Sequence, residues 1–206
     1  MRIEVEDIGK RFQKEWIFKG ISIALENNGV YSILGSNGSG KSTFLQVCSG
    51  YLTPSSGRIS WLKNDGKIEI DKVYKEVALC TPYMTLYDDF TLAENIQFFL
   101  SFKKLRNNCT LDDLVELMEL SKHRDKLLRN FSSGMKQRVK LSLAIVSQTE
   151  LLLLDEPSSH LDATSIDWYK KLLSNHLENR ITLIASNSEQ SDLVKITQSL
   201  KIMDYK

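Results

Sequence analysis

Residues 35 to 42 read Gly35-Ser36-Asn37-Gly38-Ser39-Gly40-Lys41-Ser42, a full match to the phosphate-cradling pattern G-x-x-x-x-G-K-[ST]. Glycines let backbone N–H groups turn inward around an anion, because no Cβ blocks the approach. Lys41 is the cation expected at the β- and γ-phosphates of a nucleoside triphosphate, and Ser42 is the hydroxyl expected on Mg²⁺. Thr43 continues the same turn and completes the candidate phosphate-binding set. The motif requires a strand before it and a helix after it. Val30 to Leu34 is short, apolar and β-prone, and Ser42 to Cys48 can continue as a helix whose positive dipole end faces the anion. The pattern predicts binding of a nucleoside triphosphate.

Two further constellations bear on the same chemistry. Leu151 to Leu154 is a buried apolar strand that ends in Asp155 and Glu156. An Asp there can hold Mg²⁺ through its water shell, and the adjacent Glu can orient or deprotonate a water that attacks the γ-phosphate. Between this strand and the phosphate loop lies Asn130-Phe131-Ser132-Ser133-Gly134-Met135-Lys136-Gln137-Arg138. Ser132 is a good helix N-cap, so free N–H groups at that helix start face outward beside a hydroxyl.

This last run resembles the signature of the ATP-binding-cassette family, and the resemblance covers nearly the whole chain. It implies an α/β fold: a P-loop NTPase core with an N-terminal antiparallel β subdomain and an inserted α-helical subdomain at about residues 88–147, in one nucleotide-binding domain of residues 1–206. It implies that Ser132, Ser133 and Gly134 act in trans, on ATP held by a second cassette subunit. It also implies that Phe12 stacks on adenine and that Asp162, in Ser159-His160-Leu161-Asp162, sits in a loop crossing the dimer interface, with His160 an interface residue. ATP and Mg²⁺ are the implied cofactors. An integral membrane permease and a second ABC subunit, same or different, are the implied partners. The implied place is the cytoplasmic face of the membrane, peripherally bound. Tyr83, Met84, Leu86, Tyr87 and Phe90 cluster where family members receive a permease helix.

The departures bear on catalysis. Pro82 stands where the family has a glutamine, and Asn187 stands where it has a switch histidine. Ser133 replaces the first signature glycine. Asn187 can still donate an amide N–H toward a γ-phosphate, and Pro82 has no donor. Intact binding with slow hydrolysis is the expectation, with Glu156 and Asn187 as the catalytic candidates. A soluble cassette protein acting on ribosomes or DNA, and an ATP-gated binding module that rarely hydrolyses, stay open as alternatives.

The elements that must position these residues are legible in outline. Residues 1 to 34 read as short strands, with Asn27-Asn28-Gly29 as punctuation. Arg58 to Leu62 and Lys67 to Ile70 read as two strands around Asn64-Asp65-Gly66. From Thr91 to about Ser147 the period turns helical: Leu92, Ile96 and Phe99 share one face, and Leu111, Leu114, Val115, Met118 and Leu120 another. Leu151 to Leu154 is a strand, Asp167 to Leu177 a helix, and Ile181 to Ala185 a last apolar strand before the chain ends. Length fits one domain. The 27 basic and 26 acidic residues nearly cancel, so no nucleic-acid footprint is expected. Met1 to Glu6 alternates as a strand and not as a signal peptide. No apolar run approaches the roughly 20 residues that span a bilayer. Cys48, Cys80 and Cys109 are spaced as reduced, buried or incidental thiols. His123 and His176 fall in polar stretches and read as solvated.

Overall fold

The computed structural model describes residues 1–64, 66–187 and 195–206. Two sheets carry the fold. The first is antiparallel, with strands β1 (Arg2–Phe12), β2 (Glu15–Leu25), β4 (Ser56–Lys63) and β5 (Gly66–Ile68) in the order β2-β1-β4-β5. The second is parallel, with β3 (Val30–Leu34), β6 (Val77–Cys80), β7 (Leu151–Asp155), β8 (Ile181–Ser186) and β9 (Gln198–Lys201) in the order β6-β7-β8-β3-β9. Among the described residues five α-helices accompany them: α1 (Lys41–Cys48), α2 (Leu92–Leu100), α3 (Leu111–Leu117), α4 (Ser133–Val146) and α5 (Ala163–Ser174). This is the α/β architecture expected of a P-loop NTPase with an antiparallel sheet in front.

Every residue of β3, β7 and β8 is buried, as befits parallel strands covered on both faces. Alternation divides each strand between two cores. Leu152, Leu154 and Ile184 face the core shared with α2, α3, α4 and α5. Leu151, Leu153, Leu183 and Ala185 face the core shared with α1 and the antiparallel sheet. On β1 the inward residues are Ile3, Val5 and Ile8, and the last step of three would put Ile8 on the wrong face. A bulge restores its phase: Asp7 takes φ 46° and its N–H donates to Ser22 Oγ at 2.9 Å. Gly57 closes over that bulge at φ 70°, where a Cβ would come within 2.2 Å of the Asp7 carbonyl oxygen.

The structure departs from sequence expectation at several elements. β6 and β9 carry no strong strand pattern in the sequence. β6 is four residues long, and β9 is a mostly exposed edge strand without a strong apolar run. The second strand of the hairpin stops at Ile68, and Ile70 opens a 3₁₀ turn instead; Asp65 of the expected turn lies outside the described residues. Helical periodicity from Thr91 onward resolves into separate helices because each has its own start. Thr91 with Glu94, and Thr110 with Asp113, form capping boxes at α2 and α3. α5 starts at Ala163, earlier than expected, because Asp162 caps it by accepting from Ser165 N at 2.8 Å. His176 is half-buried, not solvated. Its Nδ1 lies 2.8 Å from the Leu172 carbonyl, and burial pushes its pKa down. His123 is half-buried against the Phe131 ring. The three cysteines are free thiols; burial raises Cys80 to about 12 and Cys48 further. Among the described residues no helix is long and apolar enough to cross a membrane.

One buried cation ties the helical side to the sheet. Arg180, immediately before β8, is fully buried. It donates to Ile145 O at 2.6 Å, to Thr149 O at 3.1 and 3.2 Å, and to Ser147 O. It thereby satisfies carbonyls at and beyond the C-terminus of α4, where a cation also suits the helix dipole. Burial lowers its pKa to about 9, with Arg106 as a lesser cause, so it stays charged at neutral pH. Replacing it by an apolar residue orphans buried acceptors, each costing about 1–3 kcal/mol. Arg180→Met is therefore expected to lower unfolding free energy by on the order of 3 kcal/mol in urea titration; an unchanged midpoint would show that the clamp carries no weight.

Candidate functional site

Strand register brings the chemistry together. Leu34 pairs with Ser186 and Asp155 with Ala185, so β3, β8 and β7 end level at their carboxyl ends. Ligands of parallel sheets bind at that edge. Gly35 therefore leaves β3 beside Asn187 leaving β8 and Glu156 leaving β7. The loop after β3 turns through Ser39 N to Ser36 O at 3.1 Å and enters α1 through Gly40 at φ 110°. A Cβ on Gly40 would strike Ile17 Cγ2 at 2.5 Å, so the loop is pressed against β2 and only glycine fits.

Lys41 is almost wholly buried, at 4% exposure. Its ammonium donates to Gly35 O at 2.8 Å, Ser36 O at 3.1 Å and Asn187 Oδ1 at 2.6 Å. Glu156 Oε1 lies 3.6 Å away. Among the described residues its hydrogen-bond and ion-pair partners are all oxygens, of the kind a phosphate could replace. Asn187 Nδ2 donates in turn to Asn37 Oδ1 at 2.7 Å. Glu156 sits at φ 47° with its N–H on Ala185 O at 2.9 Å; that costly conformation holds the carboxylate toward Lys41.

Asp155 is buried at the end of β7, and one carboxylate oxygen has no hydrogen-bond partner. Burial pushes its carboxyl pKa up; a hydrogen bond from Ser42 and the charge of Lys41 pull it down, against Glu156. An orphaned buried oxygen beside a hydroxyl is a donor set that fits Mg²⁺.

Lys41, Ser42, Asp155 and Glu156 share one cavity of about 590 Å³, which Gly35, Ser36 and Asn187 do not line. Its walls include Asn37 to Thr43, Asp155 and Glu156 from the expected set. Pro82 lines it too, so the position that departs from the family does face the site. Ile17, Tyr83, Ser159 and His160 line it without having been singled out for it. Ile17 gave no signal within its strand. Tyr83 read as a docking residue, and it lines a neighbouring apolar groove of about 680 Å³ as well. Phe12 is not brought to this cavity; it ends β1 half-exposed, with Lys10 Nζ 5.3 Å from its ring centroid. Ser132, Ser133 and Gly134 do not line it either. Ser132 caps α4 by accepting from Met135 N at 3.2 Å, and both serines are exposed. Gly134 abuts the backbone of His160, where a Cβ would lie 3.1 Å from its carbonyl oxygen. A larger cavity of about 960 Å³ lies elsewhere, among Lys63, Glu76, Lys103, Arg106 and Glu150. Lys63 is paired there with both glutamates, and Arg106 donates to backbone carbonyls.

The family model for ABC transporters matches residues 18–159. The chain belongs to the ABC transporter family. Across 99% of its length it is 30% identical to a "Probable sulfate/thiosulfate import ATP-binding protein" of Chlorella vulgaris, covering 88% of that protein. It is 28% identical over 98% of its length to a bacitracin transport ATP-binding protein of Enterococcus faecalis, covering 66% of it. It also matches ATP-binding cassette sub-family A member 2 of Rattus norvegicus at 28% identity, spanning only 8% of that longer protein. In fold, it superimposes on a putative ABC transporter ATP-binding protein of Pyrococcus furiosus with a TM-score of 0.83, at 24% identity, covering 100% of this chain and 99% of the other. It is thus an ABC ATP-binding subunit of the kind that hydrolyses ATP.

Lys41 generates the sharpest test of the site. Lys41→Ala removes the one side-chain cation of the loop and is expected to abolish ATP binding in calorimetry while thermal unfolding stays cooperative. Unchanged affinity would show that the nucleotide binds elsewhere.

Proposed function

We propose that this ATPase subunit drives a separate membrane permease by closing with a second cassette subunit around ATP. What carries the reading is the convergence of Lys41, Asn187, Glu156 and Asp155 at the level ends of three adjacent strands. Gly35 to Gly40 and Thr43 would cradle the phosphates with Lys41. Ser42 and Asp155 would hold Mg²⁺, which supplies charge neutralisation at the β- and γ-phosphates when bound. Glu156 takes a proton from water as the water oxygen bonds to the γ-phosphorus and the bond to the β–γ bridging oxygen breaks. Asn187 donates its amide hydrogen to the charge that develops on the γ-phosphoryl group. Phe12 offers an exposed ring for adenine.

The signature supports the paired arrangement. Ser132, Ser133 and Gly134 form a solvent-facing helix start outside the chain's own phosphate cavity. A helix start whose free N–H groups lie outside that cavity suits the γ-phosphate of another copy. Asp162 would lie near that contact, although its carboxylate is already committed to the cap of α5. Domain organisation follows the same reading: one unit over residues 1–206, with the helical insert at about 88–147.

The permease surface is argued from exposed apolar groups. Tyr51, Ile70, Tyr74 and Tyr83 are exposed along the 680 Å³ groove. Beyond it, Tyr87, Phe90, Phe98 and Phe102 form a chain of ring contacts with centroids 4.9 to 6.4 Å apart. An aromatic row half in water next to a groove suits an amphipathic helix. Such docking would hold the subunit at the cytoplasmic face of the membrane.

Glu156→Gln keeps the site's shape and removes the base. With MgATP it is expected to sediment as a stable dimer, and Ser132→Arg in that background is expected to return it to monomer. A Glu156→Gln protein that stays monomeric at high micromolar concentration with MgATP would contradict the closing mechanism.

A further inference from the structure

Resting on the reading of Asn187 as the γ-phosphate switch, we infer that Asn37 is a positioning residue that fixes which end of the Asn187 amide faces the phosphate. An asparagine side chain has nearly the same shape after a half-turn about χ2, yet the half-turn exchanges a donor for an acceptor. At a γ-phosphate the difference is decisive, because an amide N–H stabilises the negative charge and an amide oxygen repels it. A histidine can meet this demand by changing tautomer or by protonation, which an asparagine cannot. An asparagine switch therefore needs a group that sets its orientation.

Two groups set it in the structure. The Lys41 ammonium has only donors, so the atom 2.6 Å from it must be Oδ1 of Asn187. Nδ2 donates to Asn37 Oδ1 at 2.7 Å. Lys41 cannot keep this duty once nucleotide arrives, since the same ammonium is needed at the β- and γ-phosphates. Asn37 can. It sits in the phosphate loop itself and lines the 590 Å³ cavity. Its oxygen uses one of the two Nδ2 hydrogens and leaves the other for the phosphate. The pairing spans 150 positions of sequence and joins the loop after β3 to the end of β8, so it registers the switch against the phosphates themselves. Asn37 touches the switch through its side chain, so its part is distinct from the backbone cradle of the loop.

A double-mutant cycle tests this. Asn187→Ala is expected to lower kcat about tenfold. Asn37→Ala is expected to lower kcat about fivefold with KM and calorimetric ATP affinity nearly unchanged, the size of one lost hydrogen bond. The double variant is expected to be no slower than Asn187→Ala alone, since a positioning residue has nothing left to position. In an Asn187→His background, Asn37→Ala is expected to cost no further rate. Multiplying effects in the double variant, or a collapse of ATP affinity in Asn37→Ala, would overturn the inference and make Asn37 a phosphate-loop residue only. An Asn187→Ala protein as fast as the wild type would instead overturn the switch reading on which it rests.

Discussion

The pairing of Leu34 with Ser186 and of Asp155 with Ala185 is the constraint on which the site depends. A parallel strand has no side chain to spare for alignment; register is fixed by ladder hydrogen bonds and by which face each residue buries. Slipping β8 by one residue would send Ile184 into the wrong core and move Asn187 by about 3.3 Å relative to the phosphate loop. The same apolar alternation that separates Leu152 and Leu154 from Leu151 and Leu153 therefore sets the distances between Asn187, Glu156 and the loop of residues 35–42.

Charge placement follows from that edge. Lys41 is buried where water cannot solvate it, and oxygen atoms of the loop, Asn187 and Glu156 do so instead. Burying an ammonium is tolerable only with such partners. Most of them are neutral, so exchanging them for phosphate oxygens strengthens the electrostatics. At the opposite ends of the strands, the partners of Arg180 among the described residues are neutral oxygens, chiefly backbone carbonyls. That cation has no phosphate to wait for, and its work is to bind the end of α4 to the start of β8. The helix that begins at Ser133 and the strand that leads to Asn187 are thereby joined at their far ends.

Much of this was legible in the chain. The phosphate loop, the Leu151–Asp155 strand and the β8 run are short sequences whose local preference agrees with their place in the fold. The α2 and α3 faces were read correctly from Leu92, Ile96, Leu114 and Val115. What escaped reading lacked a local signal. β6 is too short to stand out, β9 is polar, and both are strands only because the neighbours β7 and β3 offer an open edge. The half-burial of His176 is equally a product of tertiary contact. Ile17 and His160 reach the cavity only through the fold. The Asn37–Asn187 contact could not be read from either residue, since each is an ordinary polar side chain until the strands bring them together.

The central claim is that Lys41, Asn187 and Glu156 surround one γ-phosphate. A crystal structure of the Glu156→Gln protein with MgATP tests it most directly. The account places a γ-phosphate oxygen within about 3 Å of both Lys41 Nζ and Asn187 Nδ2, with the Asn37 oxygen still on that amide. A γ-phosphate in contact with Lys41 while Asn187 points elsewhere would contradict it.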